Sequence, residues 1–164
     1  MSVFTALAVI AFAASRAATL PDDARADRVV VDKSRRVLSL YSDDTLLRTY
    51  QIALGSNPEG HKQQQGDSRT PEGTYLIDYR NPQSSYHLSL HISYPNNDDR
   101  RRAAERGVSP GGDIFIHGLP PKFAWVGAMH TSLDWTDGCI AVSNKEIEEM
   151  WRMVPNGTPI EILP

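Results

Sequence analysis

The chain has 164 residues and a formal net charge of −3, with 40% hydrophobic and 23% charged residues. This length fits one domain, and the acidic balance argues against a strongly basic nucleic-acid binder, so we expect no nucleic-acid partner. Because the sequence contains one cysteine, neither an intramolecular disulfide nor a zinc site built from several cysteines can form.

An apolar run opens the chain. Residues 3–14 are apolar except for Thr5, and Ser15-Arg16-Ala17 has the small-x-small pattern that signal peptidase reads. The run is too short to span a bilayer. We therefore expect a signal peptide over residues 1–18, a polar leader over 19–27 and a folded domain over 28–164. That organisation predicts export to the periplasm or cell envelope, with no membrane span after signal removal. A short helix docked on the domain, or a retained anchor, is the alternative.

Short alternating runs broken by turns predict strands along most of the remaining chain. The first three are joined by tight turns, which predicts an antiparallel meander: 28–32, 37–41 and 46–54. Four later strands are predicted at 74–79, 88–94, 113–117 and 158–163.

Two helices are predicted, and one of them dominates. The charged segment 97–106 predicts a short surface helix. Ser143 and Glu146 have the spacing of a capping box, which predicts a longer helix that runs through Met153. The expected fold class is mostly β: a mixed β-sandwich or partly open barrel with one main helix.

A histidine and the cysteine suggest where chemistry takes place. His117 ends an apolar strand, and Cys139 follows Gly138 four residues before the capped helix. A thiol there can feel the positive end of the helix dipole, and an imidazole nearby can accept its proton. Cysteine and histidine together suffice for acyl transfer through a thioester. From local sequence alone, a small buried cysteine and a hydrogen-bonded structural histidine remain open alternatives.

Three motifs in this order resemble the L,D-transpeptidase (YkuD-like) catalytic domain family. They are a strand that ends in His117-Gly118, then Thr136-Asp137-Gly138-Cys139-Ile140-Ala141-Val142-Ser143-Asn144, and the earlier Gly66-Asp67-Ser68-Arg69-Thr70-Pro71-Glu72-Gly73-Thr74-Tyr75. The resemblance covers about residues 27–163, so it makes the predicted domain a catalytic one with its main helix after the cysteine. It implies peptidoglycan stem peptides as substrate. It also implies no cofactor, because acyl transfer by a thiol needs none.

The resemblance also assigns roles to individual residues. It implies Cys139 as the nucleophile and His117 as the general base and acid, with the ring oriented by the Gly118 carbonyl. The amides of Gly138 and Cys139 are the expected oxyanion donors. Four further residues are candidates for substrate binding: Arg69, His91, Trp135 and Asp137. A solvated loop arginine, rim packing of the tryptophan and a turn-forming aspartate are the alternatives for three of these.

Two departures from the family pattern leave the fate of the thioester open. Most members have arginine where this chain has Ala141, and many have histidine where it has Asp137. These substitutions look like a branch with Asp-Trp-Thr-Asp-Gly-Cys-Ile-Ala-Val, which includes an enzyme that cuts peptidoglycan–lipoprotein links. From the family resemblance we expect acyl transfer to an amine. The alternative is a hydrolase of the same fold, with an envelope lipoprotein as a further candidate partner.

Two other classes of function are carried as rivals. In a non-catalytic peptidoglycan-binding module, Cys139 would be incidental. In a metal hydrolase, His87, His91 and His117 would have to meet as three ligands. We expect no metal site.

Overall fold

The computed structural model describes residues 20–164, which form one curled sheet of eight strands and two α-helices. The expected signal peptide, residues 1–18, lies outside the described residues. In chain order the elements are Arg28–Asp32 (β1), Val37–Ser42 (β2), Thr45–Gln51 (β3), Gly73–Asn81 (β4), Ser89–Ile92 (β5), Asn97–Glu105 (α1), Ile114–His117 (β6), Ile140–Ala141 (β7), Asn144–Met153 (α2) and Thr158–Leu163 (β8).

The predicted meander of β1, β2 and β3 is confirmed, and it continues into the rest of the sheet. The three strands pair antiparallel, and β1 pairs parallel with β8 on its other side. In β1, Val29 and Val31 are buried, and in β8 Ile160 and Ile162 are buried. Side chains two residues apart on a strand share a face, so this alternation packs one face of the sheet against the core.

The sheet curls until its two ends touch. The strand order is β3-β2-β1-β8-β4-β5-β6-β7, which places β3 and β7 at opposite edges. The chain just beyond β3 then bridges to β7, where Ala53 and Ala141 exchange backbone hydrogen bonds of 3.0 and 2.9 Å. The mostly β, partly open barrel expected from the sequence is therefore confirmed.

Helix α2 closes the core. Ser143 caps it and forms a reciprocal capping box with Glu146, as the sequence predicts. The helix buries one stripe of side chains at helical spacing: Ile147, Met150 and Met153. Among residues 20–164, no helix is long and apolar enough to cross a membrane.

Several predicted boundaries differ from those observed. The third strand ends at Gln51 rather than at residue 54, because Ile52, Ala53 and Leu54 are all buried and run between the two edges of the sheet. The fifth strand covers Ser89–Ile92 only. β7 and a 3₁₀ segment over Pro121–Ser132 were not predicted.

The polar leader expected over 19–27 packs against the domain where it is described. Leu20 and Ala24 lie against the core, and Ala26 is buried with its N–H donating to the Met153 carbonyl at 2.8 Å. The folded unit therefore starts before residue 28.

At Gly55 the backbone segments that contain Ser68 and Gly138 come close to the chain just beyond β3. A Cβ at this position would lie 2.1 Å from the Ser68 carbonyl oxygen and 3.0 Å from the Gly138 Cα, and these are backbone atoms with little freedom to move. We expect Gly55→Ala to lower the free energy of unfolding in urea by about 2 kcal/mol or more.

Gly112→Ala is the matched control. At Gly112 the nearest heavy atom to an added Cβ is 4.0 Å away, so this variant should unfold like the wild-type protein. Equal stability of the two variants would show that the contact at Gly55 is not limiting.

Candidate active site

The parallel pairing of β6 and β7 places the histidine beside the cysteine. His117, the last residue of β6, lies opposite Ala141 in β7, and its carbonyl accepts from the Val142 N–H at 2.9 Å. Cys139 immediately precedes β7. Both side chains line one open cleft of about 530 Å³. The cleft lining is Asn81, Gln83, Ser84, Ser85, Tyr86, Ser89, Asp113, Phe115, His117, Trp135, Thr136, Asp137 and Cys139.

His117 is held as one tautomer. Its Nδ1 lies 2.7 Å from the Gly118 carbonyl oxygen. A carbonyl only accepts hydrogen bonds, so Nδ1 carries the proton and Nε2 is left with a free lone pair. Burial lowers the pKa of His117 to about 4, although the bond to the Gly118 carbonyl opposes the shift. The ring is therefore a neutral base at pH 7.

Cys139 is a protonated thiol at neutral pH. Burial raises its pKa above the ordinary value, and the carboxylates of Asp137 and Asp113 add to the rise, while the Phe115 N–H opposes it. The thiol donates to the Asp113 carbonyl oxygen at 3.6 Å. At the α2 N-terminus the Glu146 carboxylate accepts from the Ser143 N–H at 2.8 Å, so its negative charge offsets the positive end of the helix dipole.

Thr136 shapes the turn before the cysteine. Its hydroxyl donates to the Cys139 carbonyl at 2.7 Å and accepts from the Gly138 N–H at 3.1 Å. Of the two expected oxyanion donors, the Gly138 N–H is thus already bonded within the turn. The Cys139 N–H has no acceptor among residues 20–164 and remains available.

Gly138 has to be glycine for two reasons. Its φ of +126° is a backbone conformation that L side chains rarely adopt, and a Cβ would lie 2.6 Å from the Arg69 carbonyl oxygen. The loop that contains Arg69 therefore packs directly against the turn formed by residues 136–139.

Asp134 fastens the other end of this turn to the barrel. Its carboxylate accepts from the Arg36 guanidinium at 2.8 and 3.0 Å and from the Leu54 N–H at 2.9 Å. The bonds reach the β1–β2 turn and the chain beyond β3. These bonds therefore hold the segment that leads to Cys139 against the β1–β2 turn and the chain beyond β3.

The four candidate substrate-binding residues lie in different places. Trp135 and Asp137 line the cleft. Arg69 lines a separate small pocket, and its buried Nε has no hydrogen-bond partner among the described residues. His91 lies behind the cleft wall, where its ring packs edge-on against Phe115 at 4.9 Å and its Nδ1 contacts Asp78 at 2.5 Å.

The three histidines of the metal hypothesis do not meet. His87 pairs with Glu148 at 2.7 Å, His91 pairs with Asp78, and His117 bonds the Gly118 carbonyl. Within residues 20–164, no group of three or more histidine, cysteine, aspartate or glutamate side chains is arranged to hold a metal ion.

Sequence reasoning missed Tyr86, Asp113 and the partner of Trp135. Tyr86 lies in the β4–β5 loop with its ring 4.4 Å from the His117 ring. His130 accepts the Trp135 indole N–H at 3.3 Å. Neither loop has a periodic pattern, so no local signal placed these side chains at the cleft.

The reactivity of Cys139 should follow its raised pKa. Alkylation by iodoacetamide should be slow at pH 7 and should increase with pH beyond the ordinary thiol pKa of 9.0, because only the thiolate reacts. The whole-protein mass reports this site directly, since the chain has one cysteine. Asp137→Asn should move the profile to lower pH. A plateau already reached below pH 8 would contradict this assignment.

His117 should make stability depend on pH. Its pKa is lowered from 6.5 to about 4 in the folded state, so the unfolded chain binds a proton first as the pH falls. The contribution of His117 to the free energy of unfolding is complete above pH 6.5. It should decrease by about 3 kcal/mol as the pH approaches 4. Urea unfolding of the wild type and of His117→Gln at pH 7 and pH 4 isolates this contribution. Equal losses in the two proteins would refute it.

Comparison with known proteins identifies the family. The profile of the YkuD family, the L,D-transpeptidase catalytic domain, matches residues 26–162. Two similar sequences are named “Putative L,D-transpeptidase”. YafK of Escherichia coli (strain K12) is 30% identical over 77% of this chain and 46% of its own length. YkuD of Bacillus licheniformis is 28% identical over 84% of this chain and 66% of its own.

A solved structure agrees with the sequence comparison. The helical cell shape determining protein Pgp2 from Campylobacter jejuni is 27% identical, with a TM-score of 0.62 over 85% of this chain and 48% of its own. The chain thus spans about half the length of YafK and of Pgp2. Because the family profile covers nearly all of the described residues, the chain belongs to the YkuD family of L,D-transpeptidase catalytic domains.

Proposed function

We propose that this protein is a thiol-dependent acyltransferase that acts on peptidoglycan stem peptides as an L,D-transpeptidase. The observation that carries the proposal is that Cys139 and His117 line the same cleft. The Gly118 carbonyl fixes the Nδ1 proton of the imidazole and leaves Nε2 as the base. Both groups are neutral at pH 7, so a proton can pass from the thiol to the imidazole as the reaction proceeds.

In the first half-reaction the Cys139 sulfur attacks the carbonyl of the diamino acid at the third stem position, and His117 Nε2 takes the thiol proton. The Cys139 N–H, which has no acceptor among the described residues, is placed to donate to the developing oxyanion. When the tetrahedral intermediate collapses, the carbon–nitrogen bond breaks. His117 returns the proton to the departing terminal D-alanine, and an acyl-thioester remains.

In the second half-reaction an amine of another stem peptide attacks the thioester carbonyl. His117 Nε2 accepts one proton from this amine, the carbon–sulfur bond breaks, and the proton passes to the sulfur. The products are a new amide cross-link and free Cys139. No redox or metal step enters this sequence, and the proposal includes no cofactor.

Family membership and the lining of the cleft support the choice of substrate. The family is one of L,D-transpeptidase catalytic domains, and the apolar N-terminal run predicts export to the periplasm or cell envelope, where peptidoglycan lies. We propose that Trp135 and Asp137, which line the cleft, contact the stem peptide. Arg69 and His91 lie outside the lining, so any role for them would involve parts of the substrate beyond the cleft.

Mass spectrometry of muropeptides tests the function. Purified sacculi and defined tetrapeptide muropeptides would be incubated with wild-type protein, Cys139→Ala and His87→Gln. His87 is half-buried and does not line the cleft. We expect dimers linked between third-position residues, or exchanged terminal D-amino acids, with wild type and His87→Gln. Cys139→Ala should lose at least about a thousandfold in activity, because the reaction has no second nucleophile.

The same spectra separate the competing functions. Shortened stems or released lipoprotein remnants without new cross-links would show that water resolves the thioester, and would replace transfer by hydrolysis. Activity that persists in Cys139→Ala would overturn both forms of thiol chemistry. Sacculus binding that is equal in both proteins, with no reaction products, would instead indicate a binding module.

A further inference from the structure

The catalytic histidine is enclosed by aromatic rings that come from two separate loops. The Tyr86 ring centroid lies 4.4 Å from that of His117, at an interplanar angle of 45°. The Trp135 indole lies 5.9 Å from the same imidazole, at 70°. Tyr86 and Trp135 also stack against each other, with centroids 6.4 Å apart. His117 is 5% exposed, and these two rings are among the groups that cover it.

Neither enclosing ring is held by burial in the core. Tyr86 and Trp135 are 39% and 38% exposed, so their positions depend on specific contacts. Trp135 has such a contact: its indole N–H donates to His130 Nδ1 at 3.3 Å. His130 belongs to the Pro121–Ser132 segment, which buries none of its residues and is kinked at Gly127. This hydrogen bond therefore links a loosely packed segment to the catalytic cleft.

We propose that Tyr86 and the hydrogen-bonded pair Trp135–His130 are positioning residues, which cover the His117 imidazole and hold it with Nδ1 on the Gly118 carbonyl. The inference rests on the proposed function, since it assigns His117 as the base. Tyr86 and His130 act through the imidazole and not on the reacting atoms. Tyr86 and Trp135 both line the cleft and contact the imidazole ring, and the Trp135 indole connects His130 to it.

The enclosure affects orientation and charge together. The two neighbouring rings pack against the imidazole and restrict its rotation away from the Gly118 carbonyl, so Nε2 stays the free nitrogen. The same rings exclude water, which disfavours the imidazolium and agrees with the lowered pKa of His117. The other titratable groups that face this arrangement are Cys139, Asp113 and Asp137 in the cleft, His130 behind Trp135, and Glu146, whose charge acts on His130.

Titration of His117 by NMR tests the inference on the full chain labelled at histidine. Trp135→Phe keeps an aromatic ring but loses the N–H, and His130→Leu loses the acceptor. We expect each to raise the pKa of His117 by about one unit, with the double variant no higher than either single variant. Tyr86→Ser, which opens one face of the imidazole, should raise it further.

Two conservative variants serve as controls. His130→Gln keeps a side-chain acceptor for the indole and should restore the titration toward the wild-type profile. Trp125→Phe removes an indole N–H from the same segment, but Trp125 is 83% exposed and lines neither the cleft nor the imidazole enclosure, so the titration should not change. Thermal unfolding of each protein confirms that the variants compared are folded.

The acidic limb of kcat/KM gives a second readout, and it should move to higher pH in step with the NMR titration. Titrations that match wild type in Trp135→Phe, His130→Leu and Tyr86→Ser would overturn the inference. Additive shifts in the double variant would overturn the claim that Trp135 and His130 act as a pair. The NMR titration needs no turnover, so loss of the proposed acyl transfer and loss of this inference are seen separately.

Discussion

The short parallel pairing between β6 and β7 is the constraint on which the site depends. β7 has only two residues, Ile140 and Ala141, too few to hold their place through one ladder. They are secured on one side by β6 and on the other by Ala53, the residue that closes the barrel. Cys139 precedes this strand and His117 ends β6, so the contacts that close the sheet also bring the proposed nucleophile and base to one cleft.

Close backbone approach explains why the glycines of the motifs cannot be replaced freely. At Gly138 a side chain would meet the Arg69 carbonyl, and at Gly118 a Cβ would lie 2.5 Å from Asn144 Oδ1, which itself accepts the Leu119 N–H. The glycine before the cysteine and the glycine after the histidine thus serve packing as much as chemistry. The motif Thr70-Pro71-Glu72-Gly73 comes directly after Arg69 in the chain, so it continues the loop that packs against Gly138.

The elements that the sequence predicted best are those whose buried positions or helix cap follow a local residue pattern. The alternation of Val29 and Val31, and the capping box of Ser143 and Glu146, are visible without any tertiary information. Cys139 and His117 were predicted as a pair because the motifs that contain them occur in an order that resembles the family's. A strand of two residues has no period, and the 121–132 segment buries nothing, so neither left a signal. The engagement of the Gly138 N–H by Thr136, and the approach of Tyr86 to His117, depend on how the loops fold over the sheet.

Burial away from water is the main cause of the pKa shifts of both His117 and Cys139. Burial lowers the pKa of His117 and raises that of Cys139, so both shifts favour a neutral pair over a thiolate–imidazolium pair. At the α2 terminus the Glu146 carboxylate offsets the positive end of the helix dipole. In the proposed reaction, charge therefore develops during attack, when the substrate carbonyl becomes an oxyanion that the Cys139 N–H is proposed to stabilise. A thiol with a raised pKa reacts slowly with oxidants and electrophiles at neutral pH, because the thiolate is the reactive form. Under the proposed function, this suits a cysteine that is expected to work in an oxidising compartment.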